Sequence, residues 1–203
     1  MILYLSIIGV CVLIISGIVT PIYNVNFFYA LGFAALAAVL VIIVDALVAT
    51  VCRLFPKKWA NHEKKIYAVS AKEKKFYEKL KIRKWKDSVP EIGQFTGFRK
   101  NKIADPKSVE YLDRFLLEIC YGELGHTFSV PLGFLILLLF PITKIWFAVA
   151  IPVGIVNIFM NLPSLFILRY NSYKLDVLRK SVLKKQQRAQ KSEALEEAAP
   201  AEA

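Results

Sequence analysis

Apolar residues in this chain come in long blocks rather than in the short periodic patches of a water-soluble protein. Ile2 to Thr20 is nineteen residues without a charge, and Phe27 to Phe55 carries only Asp45 and Arg53. Each block is long enough, as a helix, to cross a hydrocarbon layer about 30 Å thick. The first reads as a membrane span rather than a cleaved leader, because no Lys or Arg precedes it and a second span follows almost at once. A third block, Thr127 to Leu168, has one charge, Lys144, in 42 residues. That length predicts two crossings folded as a hairpin near Pro141 to Lys144. The first arm is short, so it either re-enters partway or starts near Leu124.

The polar stretches between the blocks have helical patterns of their own. Residues 56–126 alternate lysines with aromatics, interrupted at Pro90, Gly93 and "NKIADPKS". A helix is predicted to restart with Ser108 as its cap, carrying Leu112, Phe115, Leu116 and Ile119 on one face. Beyond Arg169, Leu175, Leu178 and Val182 share a face, which predicts a surface helix, and "SEALEEAAPAEA" reads as a disordered tail. The expected fold class is therefore an all-α integral membrane protein with four transmembrane helices and a basic interfacial helical segment between spans 2 and 3. Its expected divisions are 1–55 (spans 1 and 2), 56–126 (interfacial segment), 127–168 (hairpin) and 169–203 (amphipathic helix and tail).

Charge then orients the chain. Of 27 Lys and Arg, 18 lie in Arg53 to Arg114 and 8 lie from Arg169 onward. The positive-inside rule predicts that both stretches, and both termini, are cytoplasmic. The basic segment should lie on the inner leaflet, with Trp59, Tyr67, Phe76, Tyr77 and Trp85 at the headgroups and lysines on anionic lipids. Flanking spans argue against nucleic acid as its partner. Three cysteines, Cys11, Cys52 and Cys120, lie in or beside lipid and read as packing residues.

Candidate chemistry gathers at the membrane edge in "EICYGELGH". On a helix, Glu123 and His126 are neighbours at i,i+3, and Glu118 is about 80° from His126 around the axis. A carboxylate that orients the imidazole would make His126 a general base toward a hydroxyl, as acyl transfer requires. The same residues could start a metal site, but a second ExxH is missing and His62 is the only other imidazole. Asp45 should point into the bundle, because an unpaired charge in hydrocarbon costs about 2.5 kcal/mol or more. Asn157 and Asn161, at i,i+4, form a second inward polar stripe. Arg169 closes the last span, where it could bind a carboxylate or phosphate or simply anchor the helix end. Interhelical glue in a non-enzymatic scaffold or lipid-binding subunit is the alternative reading of the same cluster.

Three motifs, "KIRKWKDSVPEIG", "EICYGELGH" and "NLPSLFILRYNSYKL", resemble in order and spacing those of the glycosyl-4,4'-diaponeurosporenoate acyltransferase family of small bacterial membrane proteins. The resemblance covers about Lys72 to Leu175. It implies transfer of a fatty acyl group to a sugar hydroxyl of a glycosylated carotenoid or related lipid-linked sugar in a bacterial cell membrane. In that reading Lys84, Lys86 and Arg169 would hold an anionic donor such as acyl-CoA and Asn161 would contact the sugar or the developing oxyanion, and no cofactor is expected. Trp85, Lys86, Asp87, Glu118, Glu123, His126, Asn161, Pro163, Arg169, Tyr170 and Asn171 stand at the family's characteristic positions. Tyr121 and Ser172 stand where basic residues are common in it.

Overall fold

The computed structural model describes residues 2–89, 103–139 and 143–198, and every element in them is helical. Helix α1 (Ile2–Tyr23) ends after Pro21 at Asn24, whose φ of 49° is one that asparagine tolerates better than most residues. The chain reverses at once, and Asn26 caps α2 (Phe27–Leu54) by accepting from the Phe28 N–H at 2.8 Å. Small residues on α2, Ala30, Ala34, Ala37 and Ala38, are buried against Val12, Ile15 and Val19 of α1. Their short side chains let the helices approach closely. The opposite face of α2, from Val39 through Ile43 and Leu47 to Val51, is exposed hydrocarbon, as a lipid-facing surface would be.

Among the described residues, three helices are long and apolar enough to cross a membrane: α1, α2, and the first part of α6 (Lys144–Ala198). The other expected arm has a different build. Helix α5 (Val109–Leu132) runs unbroken from the basic segment through Glu118, Glu123 and His126, then tightens into a 3-10 stretch, Gly133–Leu138. Ser108 caps α5, accepting from the Tyr111 N–H at 3.1 Å. The hairpin turn expected at Pro141 to Lys144 falls partly outside the described residues. Trp146 of α6 closes the far end of the bundle, fully buried, with its indole N–H on the Ile136 carbonyl at 3.2 Å.

Two further differences come from packing. Helix α6 continues through Pro163 and past Arg169 to Ala198, so no boundary separates the expected span from the expected surface helix. The stripe of Leu175, Leu178 and Val182 is used against Leu112, Phe115, Leu116 and Ile119 of α5. That apolar face has a protein partner rather than a headgroup layer. The stretch expected as a disordered tail is, as far as Ala198, the end of the same helix.

In the basic segment a turn-rich stretch from Pro56 leads to α3 (Ala71–Lys79), capped by Ser70, and to the single-turn α4 (Ile82–Trp85) with a 3-10 turn at Lys86–Ser88. Trp59 and Phe76 are exposed as expected of interfacial aromatics, but Tyr67 and Tyr77 turn inward. Each buried phenol finds an acceptor: Tyr67 the Trp59 carbonyl at 2.9 Å and Tyr77 the Glu73 carboxylate at 2.5 Å. Residues 90–102, which hold the interruption at Pro90 and Gly93, lie outside the described residues.

Candidate active site

Where α2, α5 and α6 meet, five polar groups form one connected network. Asn161 donates through Nδ2 to Asp45 Oδ2 at 3.0 Å and to Asn157 Oδ1 at 2.9 Å. Asn157 donates through Nδ2 to the Ser129 carbonyl at 3.2 Å and, more weakly, to Asp45 Oδ1 at 3.4 Å. The Asn161 Oδ1 then meets His126 Nδ1 at 2.7 Å. Asp45, Asn157 and Asn161 were each expected to face inward, and each does. Gly133 makes the junction possible, since a Cβ there would lie 2.4 Å from Asn157 Nδ2.

His126 itself is part-buried, and its Nε2 makes no hydrogen bond among the described residues. The partner of its ring differs from the expected one. Neither carboxylate of "EICYGELGH" bonds to the imidazole. Glu118 pairs at the surface with Arg53 of α2 at 2.8 Å, and Glu123 pairs with Arg169 at 3.0 Å. Helical spacing put the three residues near one face, but the element packed opposite chose their partners. For His126 that element is α6.

Arg169, expected to hold an anionic substrate, is instead a clamp. Its Nε and Nη2 engage both oxygens of Glu73, and its Nη1 reaches Glu123. The remaining donors go to the carbonyls of Ile66 at 3.2 Å and Ala68 at 3.4 Å. All five guanidinium N–H groups are thus spent inside the protein, tying the 66–73 stretch to α5 and α6. Glu73 was not foreseen, although "SAKE" at Ser70 to Glu73 has the spacing of a capping box. Arginine hydrogen bonds hold the Glu73 carboxyl below its usual range, while burial and the Glu73 carboxylate push the Tyr77 phenol up. Burial lifts the Glu123 carboxyl to about 7 despite Arg169 beside it, and its Oε1 has no hydrogen-bond partner among the described residues.

The other sequence candidates sit above this clamp. Lys84 and Asp87 are exposed and Lys86 is half-buried. Trp85 gives its indole N–H to the Leu80 carbonyl at 2.9 Å and packs against a cluster that includes Ile82, Ile167 and Tyr170. Tyr170 and Asn171 are buried on α6, with the Lys174 ammonium 4.1 Å from the Tyr170 ring centroid. An open, mostly apolar groove of about 270 Å³, with Lys64, Trp59, Tyr67, Leu124 and Phe128 in its walls, lies on the side of α5 away from His126.

A family model described as glycosyl-4,4'-diaponeurosporenoate acyltransferase matches residues 56–181, more than half of the chain. No curated protein and no solved structure matches it.

Proposed function

Because the chain belongs to the glycosyl-4,4'-diaponeurosporenoate acyltransferase family, we propose that it esterifies a sugar hydroxyl of a glycosylated carotenoid, or a related glycolipid, with His126 as general base. The observation that carries this reading is the contact of His126 Nδ1 with Asn161 Oδ1 at 2.7 Å. It fixes the ring and leaves Nε2 without a hydrogen bond among the described residues, at what we read as the edge of the bilayer. In the step itself the acceptor oxygen bonds to the acyl carbonyl carbon as its proton passes to Nε2. The bond from that carbon to the donor's carrier then breaks, and the departing carrier takes the proton from Nε2.

This position suits reactants of mixed character. The acyl chain and the carotenoid prefer lipid, whereas the head of a donor such as acyl-CoA is soluble and anionic. Lys84, exposed on α4, and Lys86 after it are the cations we assign to that head, in place of Arg169, whose donors are taken by Glu73 and Glu123. The arm made by Leu124 to Leu138, nine α-helical and six 3-10 residues, spans about 25 Å. We read it as a fourth crossing, with both termini on the cytoplasmic side of a bacterial cell membrane and anionic lipids against the lysines.

The test is acyl transfer from palmitoyl-CoA to glycosyl-4,4'-diaponeurosporenoate in membranes carrying His126→Ala at matched protein level. A loss of about 10²- to 10⁴-fold is the expected size for a general base. Full turnover by that variant would remove His126 from the chemistry.

A further inference from the structure

Asp45 lies on α2, outside the segment that matches the family model, yet it ends the chain of contacts that begins at His126. We infer that Asp45 is a positioning residue which sets the tautomer of His126 through the Asn161 amide. The inference rests on the reading of His126 as the base and adds a second helix to the catalytic apparatus.

The argument follows from which atoms can donate. Both Asp45 oxygens act as acceptors here, so the groups that face them present N–H. Asn157 and Asn161 both turn their amide nitrogens to it, at 3.4 and 3.0 Å. Asn161 is held in that orientation twice, because its Nδ2 also reaches Asn157 Oδ1 at 2.9 Å. Its Oδ1 therefore has to face His126, and an acceptor 2.7 Å away requires the ring to carry its proton on Nδ1. In the neutral imidazole the lone pair is then on Nε2, the nitrogen that makes no hydrogen bond among the described residues.

Depth strengthens the case. Asp45 lies nine residues before the end of α2, about 13 Å along the axis from Leu54. Carboxylates at such depth are rare and face polar partners in the interior. Simple glue between helices would need the two asparagines and no charge. A fixed acceptor is what forces both amides to point the same way.

Asp45→Asn keeps shape and replaces a group with two accepting oxygens by one that accepts at one end and donates at the other. With its NH₂ toward Asn161, that amide turns over, its own NH₂ then faces His126 Nδ1, and the ring proton moves to Nε2. The experiment is ¹⁵N NMR of full-length protein labelled at histidine in detergent micelles, with His62→Gln to assign the two imidazoles. The expected wild-type spectrum shows His126 protonated at Nδ1, and Asp45→Asn shifts the population to Nε2. In the transfer assay the same variant should lose about 100-fold in kcat with KM unchanged. A wild-type ring protonated at Nε2 overturns the inference without any variant, and so does a tautomer that Asp45→Asn leaves in place. If instead the tautomer moves as expected but His126→Ala transfers acyl groups normally, the positioning stands and the general-base reading fails.

Discussion

Arg169 of α6 and Glu123 of α5 meet at 3.0 Å, with the glutamate side chain only 4% exposed and the arginine 19%. This pair, with Glu73 on the same guanidinium, is where the 66–73 stretch is fastened to the helical bundle. Removing the cation leaves two acids facing each other in a poorly hydrated place. Breaking a buried ion pair from one side costs about 3–5 kcal/mol, so Arg169→Gln should lower the thermal midpoint of the detergent-solubilised protein steeply. Glu123→Gln in the same chain should recover part of the loss, because one uncompensated carboxylate is then gone. Equal midpoints for Arg169→Gln and wild type would show that the clamp does not hold the segment.

Burial of the Glu123 carboxyl, separately from its pairing, gives the fold a pH dependence. Its value rises from 4.5 in the free side chain to about 7 in the fold, chiefly through burial. The folded state therefore binds the proton more tightly than the unfolded state does. The resulting contribution is complete below pH 4.5, falls as pH rises through the window up to about 7, and is absent above it. Melting curves taken across this window should show that decline for wild type and a flatter profile for Glu123→Gln. Parallel profiles for the two proteins would assign the dependence to other groups.

Gly133 offers a way to disturb the polar network without touching any of its members. Its φ of −55° suits any residue, so Gly133→Ala strains no backbone. The new methyl would sit 2.4 Å from Asn157 Nδ2, and that amide must give way. It can do so only by loosening its bonds to the Ser129 carbonyl and Asp45. Acyl transfer in the variant should fall by at least about tenfold, the scale on which small misplacements in a positioned site act. Transfer at the wild-type rate would mean that the asparagine network is tolerant of displacement.

The sequence made some of these features legible and hid others for identifiable reasons. Period and capping chemistry are local, so the start of α5 at Ser108 and the inward stripe of Asn157 and Asn161 could be read directly. The cost of a lone charge in hydrocarbon is also independent of fold, which is why Asp45 could be turned inward before any packing was known. Partner choice is not local. Glu123 sits three residues from His126, yet it answers to Arg169 because α6 and the folded-back 66–73 stretch present a guanidinium there. Likewise the span was expected to close at Arg169, and α6 instead continues through Pro163 and past that arginine. Proline removes one backbone donor and one bond, which a helix packed along α5 can lose.

The arrangement of crossings is open to a direct test that needs no substrate. The α1–α2 turn, Asn24 to Asn26, holds no lysine or arginine, whereas the stretch following α2 and the distal part of α6 are rich in both. If positive charge is retained inside, the turn faces outward and the two basic regions share the cytoplasmic face. Single cysteines at Asn24, Lys75 and Lys191, in a chain whose Cys11, Cys52 and Cys120 are replaced by alanine, report this with a membrane-impermeant maleimide. Asn24→Cys should label in intact cells, and the other two only after permeabilisation. The two basic positions are the sensitive part, because they agree only if Leu124 to Leu138 really crosses. Should that arm dip in and return, α6 would begin on the inner face and carry Lys191 outside. Labelling of Lys191→Cys but not Lys75→Cys in intact cells would therefore reduce the crossings to three.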